Sequence, residues 1–303
     1  MMKDLLRTAD LGLADVDLLL RLARGFADDP WRDGDLLCGA AIALSFAPTE
    51  IYHRVPAEAA VARLGGYPVL LDREELRPYR GETLEDTARL LSCAVAALVV
   101  GAKDRAELTA FAEAATVPVV GAMASGDAPL RALTDLFTLT EALGPLTGRR
   151  VAYLGEGADA ASLATVGVLA GAAVVLACPR GHEPDREFHE ELDKIAAVTG
   201  GSLHVLTDPV AAVLGASVVA TGRHPDFPEF EPYRVDADLM RCAGLDAVFL
   251  HPMPARRGRE VTAEVLDSQR SLVLAHAANR QAVTQAVLYA LLTHRLRGPE
   301  GQW

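Results

Sequence analysis

The sequence has few cysteines, no long apolar run and fewer basic than acidic residues. Its 303 residues include 29 lysines and arginines against 41 aspartates and glutamates, so the formal net charge is −12. An acidic surface repels phosphate backbones and anionic lipids, which argues against nucleic acid or a membrane as the main partner. A small anionic ligand would therefore need a local cluster of arginines. Half of the residues are apolar, which excludes a disordered or fibrous chain.

Three further absences narrow the class of protein. The four cysteines, Cys38, Cys93, Cys178 and Cys242, lie far apart without a Cys-x-x-Cys pair, which predicts buried free thiols. The first residues form no apolar signal region and no run of 18 apolar residues occurs, so we expect a cytoplasmic protein. The histidines show no metal-ligand spacing, and no nucleophilic triad or pair of catalytic carboxylates can be recognised.

Short β-branched runs alternate with helical stretches along the whole chain. Strands of this kind between helices indicate parallel sheets that are covered on both faces. At about 150 residues per domain the length predicts two domains, and Gly144–Gly148 is a turn-rich break between them. We expect α/β architecture with two doubly wound parallel-sheet domains and a shared cleft. Residues 1–143 form the first domain, residues 144–278 the second, and a helix within 279–303 returns to the first.

Two segments of the second half have the composition of ligand loops. Gly155–Ala160 follows a strand and fits the dinucleotide pattern Gly-x-Gly-x-x-Ala. The acidic residue expected about 20 positions later is missing, which favours a plain glycine turn without a ligand. The alternative is an NADP site, in which Arg180 would bind the 2′-phosphate. His251 ends another apolar run and begins a proline-stiffened loop with two arginines. The three prolines within Gly222–Pro232 predict an irregular loop, which is either a lid or an ordinary long connection.

Six segments spread over the chain share one further pattern. They are Leu64–Gly66, Arg80–Arg89, Asp135–Glu141, Val151–Gly155, His251–Pro254 and Ala278–Arg280. Their order and spacing resemble those of the aspartate/ornithine carbamoyltransferase family, from about Asp4 to Leu292. The resemblance implies a carbamoyl-phosphate domain followed by an amino-acid domain. It also implies a homotrimer whose active sites are shared between neighbouring subunits.

The same resemblance implies a reaction. An uncharged amine of an amino acid or a related specialised metabolite attacks the carbonyl carbon of carbamoyl phosphate, and phosphate leaves, without a metal or organic cofactor. This chemistry needs arginine donors for the phosphate, donors for the developing oxyanion and a loop that excludes water. The expected ligands are thus a small-molecule anion and an amino-acid-like substrate.

Several positions depart from the family's pattern. The phosphate motif Ser-Thr-Arg-Thr-Arg falls on Glu50-Ile51-Tyr52-His53-Arg54, which keeps only the last arginine and adds a carboxylate. His-Pro-x-Gln falls on Ala128-Pro129-Leu130-Arg131, so the histidine that polarises the carbonyl is absent. The arginine expected after Leu98–Val100 is Gly101. These departures argue against standard ornithine or aspartate activity.

The resemblance still marks a set of candidate site residues. We expect His251, Arg54 and Arg131 to be catalytic, although Arg54 could instead hold the fold through an ion pair. Arg80 stands where aspartate-type enzymes place a lysine of the neighbouring subunit. The expected substrate-binding residues are Glu50, Tyr52, His53, Arg80, Asp159, Arg223, His224, Pro252, Met253, Arg257 and Arg280. Arg257 has the same ion-pair alternative as Arg54.

Three functions fit this pattern. The first is a diverged carbamoyltransferase. The second is a non-catalytic paralogue, a binding or regulatory subunit that could assemble with an active relative. The third is altered chemistry in the same cleft, in which Glu50, Tyr52, His53 and Arg131 bind another anion or a guanidino or ureido compound.

Overall fold

The computed structural model describes residues 2–46, 50–72, 76, 82–124 and 126–299. The chain forms two compact units. The first comprises the described residues up to Thr134 and those from Ala278 onward, and the second comprises Asp135–Ala277. Among the helices of these residues, none is both long and apolar enough to span a membrane.

The first unit is built on a four-stranded parallel sheet. Its strands are β1 (Ala41–Phe46), β2 (Tyr67–Asp72), β3 (Ala97–Gly101) and β4 (Val119–Met123), in the spatial order β2-β1-β3-β4. The helices are α1 (Leu13–Asp28), α2 (Ile51–Arg63), α3 (Leu84–Ser92), α4 (Arg105–Ala114) and the start of α5 (Pro129–Leu143). Because the strands are parallel, α2 and α5 both begin beyond the carboxyl edge of this sheet.

Both ends of the described chain attach to the first unit. Leu5 bonds to the edge of the sheet, where its N–H donates to Val119 O at 2.9 Å. The last helix, α11 (Val273–Leu292), contributes its residues from Ala278 onward. Beyond it, the N–H of Arg297 donates to the buried carboxylate of Asp15 at 2.9 Å. These hydrogen bonds hold the C-terminal segment against α1.

The second unit contains a five-stranded parallel sheet in the order β7-β6-β5-β8-β9. Its strands are β5 (Arg150–Leu154), β6 (Ala173–Ala177), β7 (Ser202–Leu206), β8 (Val218–Thr221) and β9 (Val248–Leu250). The helices are α6 (Gly157–Leu169), α7 (Arg186–Thr199), α8 (Pro209–Val213), α9 (Ala237–Cys242) and α10 (Ala263–Leu266). The two sheets confirm the predicted pair of parallel α/β domains.

Some sequence expectations differ from this structure. The sequence pattern does not predict the strands β1 and β7, because the alanines and serine of β1 and the polar residues of the edge strand β7 interrupt any β-branched run. The thiols of Cys38 and Cys93 are exposed rather than buried, whereas Cys178 is buried and free as expected. The helix α5 is continuous through residue 143, and its residues from Asp135 group with the second unit.

Candidate functional site

The carboxyl edge of the second sheet gathers several residues singled out by sequence. The strands β5, β8 and β9 are neighbours, and Gly155, Gly222 and His251 follow them directly. In an open parallel sheet the carboxyl ends of adjacent strands form the usual ligand-binding edge. The sequence pattern therefore places a glycine turn, the loop after β8 and the loop after β9 side by side.

A side chain on either glycine of this edge would displace neighbouring groups. Gly155 has a φ of +135°, and a Cβ there would lie 2.7 Å from the Nε2 atom of His224. A Cβ on Gly222 would overlap the carboxylate of Asp159. Asp159 lies half-buried in the first turn of α6 and accepts a hydrogen bond from the hydroxyl of Tyr153 at 2.8 Å. The close approach explains the glycines without a bound dinucleotide.

His224 is buried against the main chain of β5. Its Nε2 atom lies 2.9 Å from the hydroxyl of Thr221 and 3.2 Å from the carbonyl of Leu154. The Thr221 hydroxyl also donates to that carbonyl, so Nε2 is the protonated nitrogen of His224. Burial lowers the pKa of His224, which keeps the imidazole neutral near pH 7.

His251 is the most deeply buried candidate, with 1% of its surface exposed. Its Nδ1 atom accepts a hydrogen bond from the Met253 N–H at 3.0 Å, which leaves the proton on Nε2. That Nε2 atom has no hydrogen-bond partner among the described residues. Burial lowers the pKa of His251 to about 4. The imidazole is thus a neutral hydrogen-bond donor without an acceptor among the described residues, as expected of a group that binds substrate.

The other predicted residues of the second unit lie in different surroundings. Pro252 and Met253 are half-buried beside His251, whereas Arg223 is exposed. Arg257 forms an exposed bidentate ion pair with Asp267, at 2.6 and 2.8 Å. This contact matches the ion-pair alternative, and a binding role for Arg257 stays a prediction.

The predicted anion-binding residues of the first unit cluster at the start of α2. Glu50 is the N-cap of this helix, and His53 is half-buried. Tyr52 is 38% exposed. The Nε atom of Arg54 lies 3.3 Å from the carboxylate of Glu58 in the same helix, which again matches an ion-pair alternative. A helix N-terminus attracts anions, but the carboxylate of Glu50 occupies the same end of α2.

Two further arginines of the first unit are almost completely buried. Arg131 lies in the first turn of α5 and is 6% exposed, and Arg280 lies on α11 and is 4% exposed. Buried guanidinium groups need anionic or carbonyl partners, so these two residues are the strongest cationic candidates of this unit. Arg80 lies outside the described residues. No group of three metal-ligating side chains could hold an ion within the described ranges.

Sequence reasoning missed Arg256, although it recognised the loop that contains it. The guanidinium of Arg256 contacts Glu260, Asp226 and the carbonyl of His224. The family's pattern points to the adjacent Arg257 instead. Because Arg256 and Arg257 are adjacent and identical, the sequence does not reveal which of them contacts the loop after β8.

Comparison with known proteins decides the family. Residues 3–141 match the carbamoyl-phosphate-binding domain of aspartate/ornithine carbamoyltransferases, and residues 147–291 match their Asp/Orn-binding domain. The chain belongs to the aspartate/ornithine carbamoyltransferase family. Of the residues predicted for the site of this carbamoyltransferase-family protein, Arg54 and Arg131 lie in the first matched domain and His251 lies in the second.

Relatives of this carbamoyltransferase-family protein match it nearly end to end. It is 37% identical to the anabolic ornithine carbamoyltransferase of Pyrococcus furiosus, over 94% of this chain and 95% of that protein. It is 38% identical to the ornithine carbamoyltransferase of Mycolicibacterium gilvum, over 96% and 99%. The solved structure of the Pyrococcus furiosus enzyme superposes with a TM-score of 0.90 at 35% identity, and covers 97% of this chain and 98% of that one. The Thermus thermophilus enzyme gives 0.88 at 33% identity, over 96% and 99%.

Proposed function

We propose that this protein transfers the carbamoyl group of carbamoyl phosphate to an amine of an amino acid or a related metabolite. The observation that carries the proposal is the buried, neutral His251, whose protonated Nε2 has no partner at the carboxyl edge of the second sheet. A donor of this kind is suited to the carbonyl oxygen of carbamoyl phosphate, because that oxygen gains negative charge during attack.

The proposed reaction needs no redox or metal step. The amine lone pair forms a bond to the carbonyl carbon, the bond from that carbon to the phosphate oxygen breaks, and phosphate leaves with the electron pair. The amine proton leaves with the phosphate. Arg131 and Arg280 would neutralise the leaving phosphate, since both are buried cations of the first unit. The products are a ureido compound and inorganic phosphate.

Ornithine is the acceptor to test first. The relatives at 37–38% identity are named ornithine carbamoyltransferases. They give no support to the expectation that standard activity is absent. That expectation rests on Glu50, Tyr52 and Ala128, which stand where the sequence comparison places two phosphate donors and a histidine. Their effect on turnover is a matter for measurement.

The test combines turnover with binding. The purified protein is incubated with carbamoyl phosphate and ornithine, aspartate, lysine or an aliphatic diamine, and the ureido product is quantified. Thermal unfolding is recorded with carbamoyl phosphate and with inorganic phosphate. We expect turnover with at least one amine and stabilisation by carbamoyl phosphate. Absence of both would overturn the proposal.

A second candidate follows from Glu50 at the start of α2. A carboxylate at this position favours a cationic guanidino group over a phosphate, so the protein could instead bind a guanidino or ureido compound. Stabilisation by such a compound, without any response to carbamoyl phosphate, would favour this candidate.

We further propose that the protein assembles as a homotrimer, as the family resemblance implies. Light scattering of the purified chain should give about three times its mass of 32.1 kDa. A monomeric mass would contradict the proposal. The cytoplasmic location stays a prediction, as does assembly with an active relative.

A further inference from the structure

One arginine joins the two loops that follow β8 and β9. Arg256 lies in the loop after β9, five residues beyond His251. Its backbone N–H and its Nε atom each donate to the carboxylate of Glu260, both at 2.8 Å. Glu260 has no exposed surface, so its charge must be compensated from within the protein. This pair fixes the direction in which the guanidinium of Arg256 points.

The remaining donors of Arg256 reach the loop after β8. Nη1 donates to the carboxylate of Asp226 at 2.7 Å, and Nη2 donates to the carbonyl of His224. Arg259 also donates to the carboxylate of Asp226. These two arginines lower the pKa of Asp226, which stays ionised and bound. A single planar guanidinium therefore bonds to three acceptors on two segments.

Aromatic contacts complete the support of this loop. The ring of Phe230 lies 4.8 Å from that of His182 and 5.4 Å from that of His224. The imidazole of His224 closes over Gly155, as described above. Within residues 222–227, the polar contacts with other segments are those donated by Arg256 and Arg259, together with the bonds of the buried His224 ring. The exposed part of this stretch therefore depends on charge-assisted bonds.

We propose that Arg256 is a positioning residue that holds the first part of the loop after β8, residues 222–227, in the arrangement that binds the acceptor. A lysine could not replace it, because an ammonium group lacks the planar fork that reaches Glu260, Asp226 and the His224 carbonyl together. The expected effect on acceptor binding rests on the proposed function, and the loop lies within the matched Asp/Orn-binding domain. The expected effect on the order of the loop is independent of the proposed function.

The first experiment measures loop order without any substrate. Amide hydrogen exchange is compared between the full-length protein and Arg256→Gln. We expect exchange in peptides covering residues 222–227 to become at least about tenfold faster, while peptides from β5 and β6 keep their rates. Unchanged rates at 222–227 would overturn the proposal. A uniform increase throughout the second unit would also overturn it, because that result indicates general destabilisation.

Kinetics then separate positioning from a merely structural role. With ornithine, or whichever amine shows turnover, Arg256→Gln should raise the acceptor KM at least about tenfold. The KM for carbamoyl phosphate and kcat should change less than threefold. Arg256→Lys should resemble Arg256→Gln, while Arg241→Gln, which removes an exposed ion pair with Asp238, should match the wild type. Equal acceptor KM values for Arg256→Gln and the wild type would contradict the inference.

Asp226→Asn provides a milder second variant if Arg256→Gln does not fold. Asp226 is exposed, so its replacement should leave the fold intact. We expect faster exchange at 222–227 in this single variant, because it weakens the carboxylate contact to which Arg256 and Arg259 both donate. Exchange rates equal to those of the wild type would overturn the inference. If no amine is carbamoylated by the wild type, the proposed function fails while the exchange data still decide the role of Arg256.

Discussion

The imidazole Nε2 of His276 lies 2.8 Å from Oδ1 of Asp135, and both side chains are almost completely buried. The contact falls outside hydrogen-bond geometry, and neither atom has a hydrogen-bond partner among the described residues. Asp135 is the first residue of the second unit, and His276 lies one residue before the chain leaves that unit. The pair therefore joins the beginning and the end of the second unit's chain.

Breaking this buried pair should destabilise the protein. Replacing Asp135 with Ala leaves the buried imidazole of His276 without its neighbouring carboxylate, which we expect to cost about 1–3 kcal/mol of unfolding free energy. Urea denaturation measures the change. The matched control is Arg186→Ala, which removes an exposed ion pair with Glu190 and should cost less than about 0.5 kcal/mol. Similar losses in the two variants would show that burial adds nothing to the pair.

The buried His251 should make stability depend on pH. The unfolded chain binds a proton on this side chain below pH 6.5, whereas the folded protein does so only near pH 4. Stability due to neutral His251 is therefore complete above pH 6.5 and is lost as the pH falls towards 4. At pH 5 the loss is about 2 kcal/mol.

Replacement of His251 isolates this contribution. We expect His251→Gln to show a smaller drop in the thermal midpoint between pH 7 and pH 5 than the wild type. His204→Gln, which changes an exposed histidine on β7, should retain the full drop. If all three proteins respond alike, burial of His251 does not control the pH dependence.

A side chain on Gly155 should disturb the glycine turn. Gly155→Ala places a Cβ 2.7 Å from the His224 imidazole at a φ of +135°, so the ring or the turn must move. We expect a loss of at least about 2 kcal/mol of unfolding free energy. Gly181→Ala has a φ of +86° but open space around the new Cβ, so it should cost only about 1 kcal/mol. Equal costs would mean that contact with His224 is unimportant.

Restoring the family's phosphate motif should strengthen anion binding. The double variant Glu50→Ser and Tyr52→Arg removes a carboxylate from the start of α2 and adds a guanidinium. We expect inorganic phosphate to bind at least about tenfold more tightly, measured by calorimetry. Glu113→Ser removes an exposed carboxylate elsewhere in the first unit and should leave the affinity unchanged. No gain in the double variant would indicate a rebuilt pocket.

Much of the fold followed from local patterns. The runs that became β3, β5, β6 and β8 are buried, β-branched and bounded by turns, so their hydrophobicity alone indicated strands. The pattern does not indicate the edge strand β7, because an exposed polar position interrupts its apolar residues. The contacts of the candidate site were harder to predict from the sequence, because Arg256 and Arg257 are adjacent and identical. Their different partners, Glu260 and Asp267, depend on how the loop after β9 folds.

The sequence by itself determined the α/β class and the placement of His251 at a strand end. Both follow from hydrophobic periodicity and from the shared direction of parallel strands. Only the tertiary structure decided that the Nε2 atom of His251 is an unpartnered donor, and that Arg256 ties two loops together. Desolvation and hydrogen-bond geometry depend on atoms brought together from distant parts of the chain, and no local pattern encodes those distances.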